Sequence, residues 1–147
     1  MRIQHTIPAG LPENRRVRVL VVGAGGTGSA IVMGLPYLDQ AMRAWGHRGG
    51  LDVWMMDADA VSETNCIRQP FSLSDLGLNK ATVLINRINL FWGTDWKAFP
   101  IHLDKRARFN DVHPDIVIGC VDTRAGRRAI EDALKNSLNH ASYWLLY

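Results

Sequence analysis

Val17-Arg-Val-Leu-Val-Val-Gly-Ala-Gly-Gly-Thr-Gly-Ser29 is a short, β-branched apolar run that passes into a glycine turn and then into helix-compatible sequence. Such a run reads as a strand buried on both faces of a parallel sheet. Gly23, Gly25 and Gly28 fit G-x-G-x-x-G. The first permits a tight turn, the second lets backbone approach a phosphate, and the third allows the helix to pack closely on the strand. Exposed N–H groups and the helix dipole at such a turn favour an anion. The motif serves several cofactors and also occurs as a purely structural turn. Its position directly after a strand makes nucleotide binding the leading reading.

Composition sets the frame. With 147 residues, 47% apolar and 21% charged, the chain is expected to form a single domain over residues 1–147. No apolar run reaches membrane-spanning length, so no membrane partner is expected. The stretch Met1 to Asn14 lacks the apolar core of a signal peptide, which makes a cytoplasmic location the expectation. Cys66 and Cys120 lie far apart without a C-x-x-C partner, which argues against a disulfide framework or a zinc site within these residues. A net charge of +3 falls short of the dense basic stripe of a nucleic-acid binder. Arg15, Arg16 and Arg18, and likewise Lys105, Arg106 and Arg108, read as solvated faces.

Outward from the glycine turn, a helical pattern runs through Ile31, Val32, Leu35 and Leu38, with Gly34 and Pro36 expected to kink or shorten it. A second helical stretch is expected around Ala41 to Trp45. After the Gly46 to Gly50 punctuation, Leu51 to Met56 reads as the second strand, ending at Asp57. Ala58 to Gly77 reads as a loop of small polar residues, and Asn79 to Phe91 as a helix. Trp96 to Leu103 and Asp115 to Val121 are strand candidates, the second closed by Asp122. Arg124 to Asn139 reads as a helix, and Tyr143 to Tyr147 as the start of a further strand. The alternation predicts an α/β fold: a Rossmann-like, doubly wound, mainly parallel sheet with helices on both faces and ligands beyond the strand C-termini. Ending on an apolar strand read as central, the chain is expected to continue at its C-terminus.

Asp57 stands where the second strand of a dinucleotide fold delivers an acid to ribose hydroxyls, although the Gly46 to Gly50 region lengthens the usual spacing. The residues that follow are not expected of a dehydrogenase: Asp57-Ala-Asp59-Ala-Val61, Asn65-Cys-Ile-Arg68-Gln69, and Gly77-Leu-Asn-Lys80 entering a helix. Two fixed cations and a carboxamide near a glycine turn suit a triphosphate undergoing displacement better than a static pyrophosphate.

Together with Asp122, and in this order, these motifs resemble those of the ThiF/MoeB/HesA family, adenylating enzymes related to ubiquitin activators. The resemblance runs from about Val17 to the end. Asn79-Lys80-Ala81, Arg87-Ile88-Asn89 and the long insert before the second strand look most like ThiF-type members of PRTRC systems on mobile elements. The resemblance implies ATP and magnesium as cofactors. It also implies, as protein partners, a small β-grasp, ubiquitin-like protein, whose C-terminal carboxylate is converted to an acyl-adenylate with release of pyrophosphate, and a second copy in a homodimer. By the same likeness Gly23, Gly25, Gly26 and Gly28 would form the phosphate turn. Asp57 would hold the ribose, with Asp59 and Gln69 beside it in the nucleotide site. Asn65, Arg68 and Lys80 would contact phosphates, and Asp122 would hold magnesium; Arg68, Lys80 and Asp122 form the catalytic set. No enzyme nucleophile is required.

Each role has a plainer counterpart. Asp57 and Asp122 could cap the segments that follow them, Arg68 and Lys80 could be surface charges, and Asn65 an ordinary turn residue. Cys66 as a thioester nucleophile competes with an unreactive thiol, and Cys120 reads as a small buried hydrophobe. The five histidines show no ligand spacing. The chain also departs from the family: Asp122 is followed by Thr123 where relatives commonly have asparagine, with Arg127 the nearest match to the arginine that follows. The two zinc-binding C-x-x-C pairs of many relatives do not occur in these residues. Arg2, Arg15 and Arg16 are the candidates for an arginine that some relatives place over a neighbouring subunit's phosphates. Two other classes remain open, an NAD-dependent oxidoreductase using the same glycines and Asp57, and an inactive nucleotide-binding scaffold.

Overall fold

A computed structural model describes residues 11–103, 113–136 and 143–146. Five strands, β1 (Val17–Val22), β2 (Leu51–Met56), β3 (Lys97–Phe99), β4 (Ile116–Gly119) and β5 (Tyr143–Leu146), form one sheet in the order β3-β2-β1-β4-β5. All four pairings are parallel, with Val17 opposite Leu51, Val19 opposite Ile116, Trp54 opposite Lys97 and Ile116 opposite Tyr143. Successive side chains of β1 point to opposite faces, and both faces are covered. Val17, Val19 and Val21 share a core with Val53, Met55, Val32 and Leu35 of α1 (Gly26–Ala44), and Leu84 and Ile88 of α3 (Lys80–Trp92). On the other face Leu20, Val22, Met56 and Val117 meet Ile130 and Ala133 of α4 (Arg124–Asn136). Helices on both faces of a parallel sheet explain why the strands read as unbroken apolar runs, and the Rossmann-like expectation holds.

Several local expectations are overturned. Helix α1 is continuous through Gly34 and Pro36 and takes in Ala41, where the sequence suggested a break and a second helix. A proline in a helix interior removes one backbone bond; here Pro36 is fully buried, and packing compensates. The region 58–77 is not a plain loop. It holds α2 (Glu63–Arg68) and a 3₁₀ turn (Leu73–Asp75), each opened by a capping box, Ser62 with Asn65 and Ser72 with Asp75. The third and fourth strands are shorter than expected, and Cys120 and Asp122 lie just beyond β4 rather than within or against it. Among the described residues the last strand is the outermost of the sheet, beside β4. Apolar sequence reports burial, whereas strand order is set by pairing. The insert before β2 is tied down by Asp39, which accepts from Leu51 N–H at 2.6 Å and Arg43 Nε at 2.9 Å, and by His47 Nδ1, which accepts from Gly50 N–H at 2.9 Å. Among the described residues, no helix is long and apolar enough to cross a membrane.

Asp75 braces the segment leading to Lys80. Its carboxylate accepts from Ser72 N–H at 2.7 Å and from Arg87 at 2.8 Å. The Ser72 backbone bond, with the Ser72 hydroxyl and Arg87, holds the Asp75 carboxyl below its usual value of 3.8 against the opposing effect of burial. A carboxylate depressed in this way contributes stability above its unfolded pKa, and that contribution is lost as pH falls through the folded-state value. Asp75→Asn is therefore expected to lower stability at neutral pH and to flatten the acid limb, as read from urea midpoints taken down to about pH 2. Unchanged midpoints across the series would show that Asp75 contributes nothing.

Candidate functional site

At the C-terminal ends of β1, β2 and β4 the sheet opens into a cavity of about 800 Å³. It lies where the order reverses from β2 to β4 around β1, the switch point at which open α/β sheets take ligands. Gly23 begins the turn with φ +100°, and its N–H donates to the Met56 carbonyl at 2.9 Å. A Cβ on Gly28 would lie 1.8 Å from the Gly23 carbonyl oxygen, so Gly28 permits the closure of α1 onto the turn. Gly25 and Gly26 differ: a Cβ on either would meet nothing within 4 Å, and both line the cavity. Gly25 caps α1 without a side-chain bond, and the first turn carries no acid. The positive end of the helix dipole thus faces the cavity.

The β2 side is stitched to the glycine turn. Asp57 Oδ2 accepts from Ala24 N–H at 2.5 Å and Oδ1 from Asp59 N–H at 2.7 Å. This fixes the carboxylate and leaves lone pairs on both oxygens. Asn79 caps α3, accepting from Thr82 N–H at 2.9 Å, while its amide donates to the carbonyls of Asp57 at 2.8 Å and Asp59 at 3.2 Å. Lys80 N–H donates to the Asp59 carbonyl at 2.9 Å. Held this way Lys80 is buried, yet its Nζ is only 3.5 Å from Asp59 Oδ2, on a side chain that is 59% exposed. Lys80 is therefore no surface charge: a buried ammonium with one long, wet partner retains capacity for another anion.

Arg68 ends α2 on the cavity wall, exposed and without a side-chain partner among the described residues. Asn65 also lines the cavity, but its Oδ1 is engaged, accepting from Ser62 N–H and Oγ, both at 2.9 Å. The cap role and the cavity position coexist. Gln69 reaches the wall with its Oε1 buried and unpartnered. Across the cavity Asp122 is exposed and makes no bond among the described residues. It does not cap α4: Thr123 Oγ1 does so, accepting from Gly126 N–H at 3.1 Å.

Of the predicted site residues, Gly23, Gly25, Gly26, Asp57, Asp59, Asn65, Arg68, Gln69, Lys80 and Asp122 line this one cavity, and Gly28 lies behind it. The sequence reading missed Ile101, His102 and Leu103 beyond β3, and gave no role to Arg127, whose Nε donates to the Val121 carbonyl at 3.4 Å. Their signal was positional, since each follows the C-terminal end of a strand. Cys120 lines the wall, and burial pushes its thiol up to about 11, so it stays protonated near neutral pH. Cys66 packs against the core outside the cavity lining, its Sγ 3.6 Å from the Ser62 carbonyl. Arg15 and Arg16 sit at the opposite, N-terminal end of the sheet. Arg15 pairs with Asp115 at 2.7 Å, and Arg16 pairs with Asp95. Both arginines stay exposed, as the solvated-face reading expects, and each is also engaged by an aspartate. Arg2, Lys105, Arg106 and Arg108 lie outside the described residues.

The sequence profile of the ThiF family matches residues 1–141. The chain belongs to the ThiF family. The adenylyltransferase and sulfurtransferase UBA4 of Eremothecium gossypii is 34% identical over 134 residues, which cover 87% of this chain and 27% of UBA4. Among solved structures, TcdA (CsdL) shares the fold with a TM-score of 0.69 at 23% identity, over 88% of this chain and 49% of that one. The ATP complex of the E. coli tRNA N6-threonylcarbamoyladenosine dehydratase TcdA does so with a TM-score of 0.67 at 22% identity, over 88% and 50%. The ThiF-family chain thus spans about a quarter of the curated relative and about half of these structures.

Proposed function

We propose that this ThiF-family chain is the nucleotide-binding domain of an adenylating enzyme, acting on the C-terminal carboxylate of a ubiquitin-like, β-grasp protein. The observation that carries the reading is the convergence of the glycine turn, Asp57, Arg68, Lys80 and Asp122 on one cavity. The naming of UBA4 as an adenylyltransferase and the ATP complex of TcdA support it. In this reading the N–H groups at Gly25 and Gly26 hold phosphate oxygens and Asp57 accepts from the ribose hydroxyls. Lys80 and Arg68 meet the charge that builds as a carboxylate oxygen of the partner bonds to the α-phosphorus and pyrophosphate departs with the electrons of the broken P–O bond. Asn65 and Gln69 flank the phosphates, and positioning supplies much of the rate.

Magnesium fits as an ion held mainly by phosphates and water. Asp122 offers an open carboxylate on the β4 wall of the cavity and would hold the ion, with substrate phosphates and water completing the shell. When bound it would neutralise phosphate charge. Within the family, Asn79-Lys80-Ala81 and the insert before β2 favour a PRTRC-type member acting in the cytoplasm. The tRNA named for TcdA marks a different substrate class, and addition of a purified β-grasp protein in pyrophosphate exchange separates the two.

An NAD-dependent oxidoreductase would use Gly23, Gly25, Gly28 and Asp57 but would leave buried Lys80 and open Arg68 and Asp122 without a shared purpose. ATP with magnesium is expected to stabilise the fold by mass action, by about 2.7 kcal/mol at a hundredfold excess over Kd, and so to raise the Tm, while NAD leaves it unchanged. Stabilisation by NAD alone would overturn the reading.

A further inference from the structure

Asn79 stands one residue before Lys80 and does not itself line the cavity. Yet its carboxamide uses every hydrogen-bonding position it has. Oδ1 accepts from the Thr82 N–H at 2.9 Å and from the Thr82 hydroxyl at 3.0 Å, while Nδ2 donates to the Asp57 carbonyl at 2.8 Å and to the Asp59 carbonyl at 3.2 Å. The partners fix which end is which, because a backbone N–H can meet only the oxygen and a carbonyl only the amide. Capping a helix needs the acceptor alone, and serine or aspartate would cap α3 about as well. Neither could also donate to two carbonyls, since a serine hydroxyl carries one proton and a carboxylate none.

The donor half works on the segment that carries the site. Asp57 is gripped on every side: its N–H donates to the Phe99 carbonyl at 3.1 Å, its carbonyl accepts from Asn79, and its carboxylate accepts from the Ala24 and Asp59 N–H groups. The Asp59 carbonyl accepts from both Asn79 and the Lys80 N–H, and an antiparallel bridge from Ala60 to Asn79 closes the junction. One side chain thereby joins the end of β2, the start of α3 and the backbone of Lys80. Packing does little to set this path, because Asp57 and Ala58 are only half-buried and Asp59 and Ala60 are exposed. Hydrogen bonds decide where the segment lies.

We propose that Asn79 is a positioning residue of the nucleotide site, with Oδ1 serving the helix and Nδ2 holding the 57–60 backbone so that the Asp57 carboxylate and the Lys80 ammonium keep a fixed relation across the cavity wall. Its effect on ATP rests on the nucleotide reading above, whereas its hold on Lys80 is a property of the chain alone. The two duties are separable because they fall on different atoms.

Asn79→Ser keeps a neutral cap and loses the double donor. Acetic anhydride, applied without nucleotide and read by peptide mass spectrometry against exposed Lys97 in the same sample, is expected to acetylate the buried Lys80 about tenfold faster in this variant, the order expected when a locally opening segment loses two hydrogen bonds. Its Tm is expected to stay near that of the parent. ATP affinity, by titration calorimetry, is expected to fall about tenfold in the parent background but about threefold or less in a Lys80→Met background, because residues that act through one another are not additive. Asn79→Ala, which removes both halves, is expected to lower the Tm by roughly a further 2–4 °C through the lost cap, with no further loss of ATP affinity. Should the serine variant fail to fold, Asn79→Thr, the other neutral cap, repeats the test. Unchanged acetylation of Lys80 in a folded serine or threonine variant overturns the proposal, and so does a loss of ATP affinity that is equal in the two backgrounds, as a merely structural asparagine would give. Faster acetylation in a chain whose parent binds no ATP removes the nucleotide reading and confirms that Asn79 holds Lys80.

Discussion

Gly28→Ala is expected to unfold the site rather than trim it. The new Cβ would stand 1.8 Å from the Gly23 carbonyl oxygen and 3.2 Å from Cys120 Cβ. The first obstacle is backbone in the turn itself, so no side-chain rotation relieves it. Either α1 lifts off β1 or the turn opens. Overpacking of this kind costs about 3 kcal/mol, which for a chain of this size corresponds to a Tm lower by roughly 6–12 °C. ATP affinity is expected to fall with it. Gly26→Ala is the matched control, because its Cβ would meet nothing within 4 Å and points into open cavity. It is expected to keep or raise the Tm, since alanine favours a helix by about 1 kcal/mol over glycine, while weakening ATP binding at the phosphate turn. Scanning calorimetry and titration calorimetry on the two variants separate a packing glycine from a ligand glycine. Equal behaviour in both measurements would contradict that division.

Arg68→Ala is expected to lower pyrophosphate exchange by about 10²–10³, the cost of removing one fixed donor from a developing charge, while the Kd for ATP shifts by less than about tenfold. The reason lies in its placement. Arg68 is exposed, ends a short helix whose capping box fixes its start, and has no side-chain partner among the described residues. Its strongest contact can therefore form when charge builds in the cavity. Lys80, already buried beside Asp59, is expected to behave differently, with Lys80→Met weakening ground-state ATP binding as well. Equal losses of exchange and binding for Arg68→Ala would make Arg68 a ground-state contact.

Both strands of the first βαβ unit, Val17 to Val22 and Leu51 to Met56, are legible in the sequence to the residue, as are the distinct duties of Gly23 and Gly28, while α3, read as Asn79 to Phe91, lies one residue later at each end. These features depend on local chemistry: apolar runs and turn glycines. The gathering of Asp57, Arg68, Lys80 and Asp122 was legible through motif order, since a parallel sheet returns each strand's C-terminal end to the same side.

Other features were decided only by the folded chain. Pro36 reads as a helix breaker, yet α1 runs through it because burial offsets one lost hydrogen bond. Asn65 reads as turn or ligand and serves in a cap on the cavity wall. Arg15 and Arg16 read as solvated charges and stay exposed, yet each pairs with an aspartate, Asp115 and Asp95, 100 and 79 residues away. Ile101 to Leu103 join the site because β3 pairs beside β2. For Pro36, Arg15, Arg16 and Ile101 to Leu103 the deciding partner is remote in sequence, whereas Asn65 is engaged by Ser62 only three residues away. Periodicity and spacing report what a residue does to its neighbours within a few turns of chain, whereas burial, ion pairing and strand order depend on which distant segment arrives beside it.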